Sequence, residues 1–188
     1  MFPETVDAAS VTLRRLSREH VDVHALYERF AADSAGVEAV FEYVPQEPYE
    51  TPNDAREFLL QAEDEWDDRE SAQYAVRADG DLAGYAGLFV EWERRAARVG
   101  VTLDRPFWGE GYASDAADAL AELAFETLDL DVVAIGYERG NERSERFVES
   151  FVERHGGQYD GVLRNWTRVG DDVLDHHRYT VTREQYEA

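Results

Sequence analysis

The chain has 188 residues, of which 41 are acidic and 19 basic, so its formal net charge at pH 7 is −22. This excess of negative charge argues against binding to nucleic acid or to an anionic membrane. No apolar run approaches the roughly 20 residues that a membrane-spanning helix needs, and the absence of cysteine excludes disulfides and thiolate metal sites. We expect a single folded domain over residues 1–188, located in the cytoplasm.

All 19 basic residues are arginines, and the acidic residues are spread along the whole chain. At molar ionic strength charges are screened over about 3 Å, which removes most of the repulsion between such residues. The composition is therefore typical of a protein from a halophile. An acidic surface that attracts basic substrates is the alternative interpretation.

The N-terminal part of the chain predicts one strand and two helices. Alternating apolar residues predict a strand over residues 10–16, and helical spacing predicts a helix over 19–32. Three prolines in residues 40–52 predict a loop or a short helix. A threonine cap followed by proline predicts a second helix over residues 51–68.

The central part predicts an antiparallel meander and an amphipathic helix. Three strand-like segments, residues 72–77, 82–91 and 94–103, are separated by short polar turns. The helix follows over residues 112–128, with an apolar stripe on one face and acidic residues on the other.

The C-terminal part predicts a strand over residues 132–137 and a helix over 141–155, which ends at two glycines. A hairpin of strands 159–166 and 173–182 completes the chain. Because a crossover helix separates them, the fourth and fifth strands should be parallel. The order predicts an α/β fold, with a mostly antiparallel seven-stranded mixed sheet, one parallel pair and about four flanking helices.

The segment Trp108-Gly109-Glu110-Gly111-Tyr112-Ala113 joins the fourth strand to its crossover helix. Two glycines permit a tight turn and a close approach of the backbone to a ligand. The first amides of a helix lack partners within the helix and attract anions. The junction therefore predicts a site for a phosphate or pyrophosphate.

This element order and this segment resemble the GCN5-related N-acetyltransferase (GNAT) superfamily, whose signature is Arg/Gln-x-x-Gly-x-Gly/Ala. Gly111 and Ala113 match the signature, whereas Trp108 stands where arginine or glutamine is commonest. Residues 107–116 resemble the subfamily that acetylates the N-termini of ribosomal proteins. The resemblance covers roughly residues 10–182.

A second block, Asn141-Glu-Arg-Ser144 with Gly156 and a Gly-Val-Leu-Arg-Asn run at 161–165, also resembles that subfamily. It departs from the pattern at Gly157, where phenylalanine is usual, and at Asp160, where glutamate is usual. The resemblance implies acetyl-CoA as the donor, bound through its pyrophosphate at the glycine turn and through its pantetheine at the fourth strand. The implied cofactor site consists of Val101, Leu103, Trp108, Gly109, Glu110, Gly111, Tyr112, Ala113, Ser114 and Asn141.

Acetyl transfer requires a neutral amine, a polarised thioester carbonyl and a proton for the leaving thiolate. We expect the amide of Val101 to polarise the carbonyl. Ser144 is the candidate acid, because Val152 occupies the position at which many superfamily members carry a tyrosine. Glu91 and Glu42 are candidate general bases.

The preferred acceptor is a protein N-terminal α-amine, which titrates near 7.7–8.0 and so needs less help than a lysine side chain. A small-molecule amine is one alternative, and a catalytically silent acyl-CoA-binding module is another. We expect no metal site, because His176 and His177 point to opposite faces of a strand and the pair His20 and His24 lacks a third ligand. The edge of the C-terminal hairpin is the predicted surface for a homodimer.

Overall fold

The computed structural model describes residues 2–188. Eight strands form one sheet in the order β1-β2-β3-β4-β5-β6-β8-β7. The strands are β1 (Thr5–Asp7), β2 (Val11–Arg15), β3 (Ser71–Ala78), β4 (Asp81–Glu91), β5 (Ala96–Leu103), β6 (Val132–Glu138), β7 (Gln158–Val169) and β8 (Asp172–Thr182). The helices are α1 (Val23–Phe30), α2 (Val37–Phe41), α3 (Pro52–Asp67), α4 (Tyr112–Glu122), α5 (Glu142–Arg154) and α6 (Arg183–Tyr186).

The predicted fold class is confirmed, with one more strand and two more short helices than the sequence indicates. β1 has three residues and pairs with β2, while α2 and α6 have five and four residues. The helix α1 begins at Val23, later than expected, because the Asp22 side chain caps it by accepting from the amide of Ala25. The threonine cap of α3 forms the expected capping box with Asp54.

The parallel pairing of β5 with β6 is short. It consists of Ala96↔Val132, Ala97↔Val133 and Arg98↔Ala134, beyond which the two strands separate. On its other side β6 stays paired with β8 along its whole length, as far as Glu138↔His176. A gap therefore opens between β5 and β6 at the end of the sheet where β5 terminates.

Two hydrophobic cores cover the sheet unequally. One core lies on the face carrying α4 and α5 and draws on residues of every strand from β2 to β6 and on β8. The other lies on the opposite face, where α1, α2 and α3 pack only on residues of β3 and β4, with Leu16 beside the end of β2. We call this second face the open face, because over β6, β7 and β8 it lacks such a core. Among residues 2–188, no helix has both the length and the apolar character needed to cross a bilayer.

Candidate active site

The glycine turn lies at the end of the sheet where the gap between β5 and β6 opens. After β5, a short 3-10 turn over Arg105–Phe107 leads to Gly109 and Gly111, whose φ angles are +85° and +87°. Residues with a side chain rarely adopt these angles. A Cβ atom at either glycine would meet no atom within 4 Å. The backbone conformation, rather than crowding, therefore requires glycine, and the space above the turn is free for a ligand.

The helix α4 begins directly at this turn with unpaired amides. Gly111 is its N-cap and supplies no side chain to cap it. The amide of Asp115 is the first to bond within the helix, to the Gly111 carbonyl at 3.1 Å. The amides of Tyr112, Ala113 and Ser114 have no acceptor within the helix, as is usual for a first turn. Together with the helix dipole, they form a binding site suited to a phosphate or pyrophosphate.

The backbone of β5 presents hydrogen-bonding groups to the gap. The Asp104 amide bonds to the Ala83 carbonyl of β4 at 2.9 Å. Because bonded pairs alternate along an antiparallel ladder, Thr102 also bonds to β4 and Val101 faces the other way. On that side the pairing with β6 has already ended at Arg98. The amide and carbonyl of Val101 therefore face the gap, as the implied pantetheine contact requires.

Trp108 connects the two sides of the gap. Its indole N–H donates to the Leu103 carbonyl at 2.8 Å, and the Arg143 guanidinium carbon lies 3.3 Å from its ring centre. The side chain also packs against both hydrophobic cores. The carbonyl of Leu103 thus already has a partner within the protein, which leaves Val101 as the clearer backbone contact for a ligand. The sequence did not indicate that Arg143 stacks on the Trp108 ring.

The start of α5 places Asn141 and Ser144 at the same end of the sheet as the glycine turn. Asn141 caps the helix, and its side-chain oxygen accepts from the Ser144 amide at 3.1 Å. Ser144 lies one turn before the buried Val148, on the stripe of α5 that faces the sheet. Within residues 2–188, its hydroxyl has no hydrogen-bond partner. The hydroxyl is therefore free to donate to a group bound in the gap.

The two candidate bases have different surroundings. Glu42 is exposed at the end of α2, and burial together with this carboxylate raises the pKa of Tyr43. Tyr43 in turn donates to the Gly140 carbonyl, immediately before α5, at 3.2 Å. Glu42 therefore lies near the start of α5, at the same end of the sheet as Asn141 and Ser144.

Glu91 is not brought together with these residues. It pairs with Ala96 at the far end of β5, four residues before Gly100, a separation of about 13 Å at roughly 3.3 Å per residue. Its carboxylate accepts from Arg94 at 2.7 Å, and both side chains are more than half exposed. This placement does not support Glu91 as a general base.

A further polar pair, which sequence reasoning missed, lies on the open face beside the gap. The Nδ1 atom of His176 is 3.1 Å from Oε1 of Glu138, which also accepts from the Thr167 hydroxyl at 2.8 Å. Burial raises the pKa of Glu138, but the hydrogen bonds from His176 and Thr167 outweigh burial and hold the pKa below its usual value. Glu138 is therefore ionised near neutral pH.

Comparisons with known proteins identify the family. Residues 10–151 match the family model of the acetyltransferase (GNAT) domain. The chain belongs to the GNAT family. It is 24% identical over 186 residues to an uncharacterized N-acetyltransferase, p20, from Bacillus licheniformis, covering 97% of this chain and 98% of p20. The predicted enzyme class, an N-acetyltransferase, is thereby confirmed.

Solved structures share the GNAT fold at low sequence identity. RimL, described as a ribosomal L7/L12 alpha-N-protein acetyltransferase, has a TM-score of 0.80 and 18% identity, covering 95% of this chain and 94% of RimL. The microcin C7 self-immunity acetyltransferase MccE, solved in complex with acetyl-CoA and AMP, has a TM-score of 0.79 and 15% identity over 92% of each chain. GNAT membership implies acetyl-CoA as donor. The unpaired amides at Gly111 and the free backbone at Val101 fit its pyrophosphate and its pantetheine.

Proposed function

We propose that this GNAT enzyme transfers the acetyl group of acetyl-CoA to the α-amine of a protein N-terminus. Residues 107–116 and the Asn141 to Ser144 block resemble the subfamily that acetylates ribosomal proteins. RimL, which has the same fold, is named for an acceptor of this kind. Both observations support a protein acceptor rather than a free metabolite.

The observation that carries the proposal is that the hydrophobic core on the open face does not extend over the gap. Gly100 of β5 and Gly136 of β6 flank the gap and are only half-buried, although the rings of Phe89 and His176 lie beside them. The core on this face reaches no further across the sheet than β4. A small ligand is usually enclosed in a pocket that buries most of its surface. An approach without such a pocket suits the end of a polypeptide, which brings its amine to the gap while the rest of the chain stays in solvent.

The groups at the gap match the needs of an α-amine. Such an amine titrates near 7.7–8.0, so a useful fraction is neutral at physiological pH. The amide of Val101 polarises the thioester carbonyl, and the hydroxyl of Ser144 supplies a proton to the leaving thiolate.

The test is free-thiol release from acetyl-CoA in molar KCl. The acceptors are peptides with the N-terminal sequences of ribosomal proteins, the same peptides with a blocked N-terminus, and small amines at matched concentration. We expect release that depends on a free peptide N-terminus. Release with small amines alone would contradict the proposal and assign the enzyme to small-molecule acetylation.

A further inference from the structure

Two rings lie over a row of glycines on the open face. Gly87 of β4 pairs with Gly100 of β5, and continuing the β5–β6 register places Gly136 of β6 at the level of Gly100. The Phe89 ring lies over the first two glycines, 3.2 and 3.6 Å from the positions that a Cβ would occupy. The His176 ring lies over Gly136, where its Nε2 atom is 2.3 Å from such a position. Glycine is therefore needed at residue 136 for the imidazole to lie there.

This arrangement places one nitrogen of His176 against Gly136, at the gap. The strands separate directly after Arg98↔Ala134, so Gly136, two residues beyond this pair, lies where β6 no longer pairs with β5. Nδ1 of the imidazole is held by Glu138, and within residues 2–188 no hydrogen bond engages Nε2. An ionised carboxylate can only accept a hydrogen bond, so Nδ1 carries the hydrogen. The lone pair of the neutral ring is then on Nε2.

We propose that His176 is the general base that removes a proton from the acceptor amine, with Glu138 as its positioning residue. A carboxylate that orients an imidazole, whose other nitrogen meets the substrate, is a recurrent catalytic arrangement. The inference rests on the proposed function in one respect, namely that the acceptor reaches the gap across the open face.

The base and the candidate acid lie on opposite faces of the sheet. His176 is on the open face, whereas Ser144 is on α5, which packs on the other face. Nε2 of His176 takes a proton from the ammonium group, and the amine lone pair attacks the thioester carbonyl carbon. The C–N bond forms, the C–S bond breaks, and its electron pair leaves with the sulfur, which Ser144 protonates. Forming the amide releases the second N–H proton, which restores the Ser144 hydroxyl by way of solvent, and the proton held by His176 also leaves to solvent. The net products are the amide, the free thiol and one proton.

Charged groups of both signs surround the imidazole on this face. Besides Glu138 on β6, Arg178 of β8 lies 3.6 Å from Asp160 of β7. Arg98 of β5 lies over the Phe89 ring at 4.5 Å and interacts electrostatically with Glu138 and with Glu91 of β4. On β7, the residues that face His176 and Glu138 are Leu163 and Thr167, which do not titrate. Two cations and the carboxylates of Glu138 and Asp160 thus lie around the ring, and Glu138 alone contacts it, whereas Glu91 lies about 13 Å further along the sheet at roughly 3.3 Å per residue.

The first experiment compares His176→Gln with the wild type in thiol release with a peptide acceptor. We expect turnover at pH 7 to fall at least about 100-fold, with the Kd for acetyl-CoA unchanged. At pH 9.5, where an α-amine is already neutral, the loss should shrink to less than about tenfold. Added imidazole should restore part of the activity at pH 7. Turnover within twofold of the wild type at pH 7, or an equal loss at both pH values, would overturn the inference.

His177→Gln is the matched control. This neighbouring histidine stacks on Tyr137 at 4.8 Å and contacts the Tyr159 hydroxyl at 3.1 Å, on the other face of β8. Its replacement changes the same residue type on the same strand, and we expect turnover within twofold of the wild type at both pH values.

Histidine nitrogen NMR tests the positioning independently of turnover. In the wild type we expect His176 to carry its hydrogen on Nδ1, and in Glu138→Gln we expect this preference to be lost, because an amide can donate as well as accept. If the wild type acetylates none of the acceptors, the proposed function fails, and the inference about His176 is then judged by its tautomer alone. A neutral His176 ring with its hydrogen on Nε2 would overturn the inference.

Discussion

The two halves of the sheet differ in how they are covered. In β3 and β4, every residue from Ser71 to Val76 and from Leu82 to Leu88 is buried, because helices pack on both faces. In β7, which spans Gln158–Val169, no residue is buried. The halves meet through the three residue pairs of β5 and β6. The closely packed half positions the glycine turn, and the less covered half leaves one face of the sheet without a hydrophobic core.

This division suggests that donor binding and acceptor chemistry can be impaired separately. Substitutions at the end of β5 should affect acetyl-CoA affinity, whereas substitutions near β6 and α5 should affect turnover. A third kind of substitution, at contacts between the halves, should affect stability alone.

The largest effect is expected for Gly111→Val. Valine cannot adopt a φ of +87° without strain, so the turn must shift and misplace the amides that meet the pyrophosphate. Losing one charge-assisted hydrogen bond costs about 1.5–3 kcal/mol, so acetyl-CoA affinity should fall roughly 10- to 150-fold for each amide that is misplaced. Isothermal titration calorimetry measures this. Gly170→Val, at a φ of +57° in the β7–β8 turn, is the control and should retain affinity.

Ser144→Ala should affect turnover without affecting affinity. Removing a general acid typically costs about 100-fold or more in rate. The cap of α5 remains, because it uses the Ser144 amide rather than the hydroxyl. Steady-state kinetics and calorimetry on the same sample separate the two effects. Ser150→Ala, on an exposed position of α5, is the control, and full activity of Ser144→Ala would show that the acid has been wrongly assigned.

The smallest effect is expected for Asp118→Asn, at a contact between the halves. Asp118 of α4 accepts from Arg154 at 2.9 Å and lies 2.9 Å from His155, just after α5. Burial raises the pKa of Asp118, but its bonds to His155 and Arg154 outweigh burial and lower the pKa overall. A lowered carboxyl pKa stabilises the fold above the unfolded value, near 3.9, and this stability is lost as pH falls through the folded value.

The side chain of Asp118 is about one-third exposed, so solvent screening limits the loss at pH 7 to roughly 0.5–1 kcal/mol. Urea unfolding at pH values from 7 to 3 measures the difference, which should close below about pH 4. Asp171→Asn, in the exposed β7–β8 turn, should show no such difference. A difference in unfolding free energy that stays constant with pH would argue against the ion pair as its cause.

The fold could be predicted wherever the chain has long periodic segments. The meander, α4 and α5 each carry an apolar pattern of eight residues or more, which outweighs local exceptions. β1, with three residues, and α6, with four, are too short to show a period. The sequence predicts a dimerisation surface on the C-terminal hairpin, and β7 does form an edge of the sheet. Dimerisation itself stays a prediction.

The candidate site could be located where it is local in sequence. Gly109 to Ser114 and Asn141 to Ser144 are single turns that the sequence marks by its glycines and by a helix cap, and their roles in binding and catalysis stay predictions. The Glu138–His176 pair spans 38 residues and forms only because β6 lies beside β8. The sequence alone does not show which partner faces His176 or His177, so the pattern there indicates no more than a metal site that lacks suitable geometry. The stacking of Arg143 on Trp108 likewise depends on where α5 begins.

The position of Trp108 also gives the protein an internal optical reporter. Its indole lies beside the glycine turn, between the Leu103 carbonyl and the Arg143 guanidinium, where its emission depends on the local electric field. Trp92 and Trp166 are 44% and 61% exposed, so a neutral soluble quencher such as acrylamide reaches them readily, whereas the net charge of −22 repels iodide. Trp66 is buried in the core against Phe2 and Tyr74. A change in the fluorescence that remains under acrylamide is therefore expected to report the arrival of a pyrophosphate at the turn without any added label.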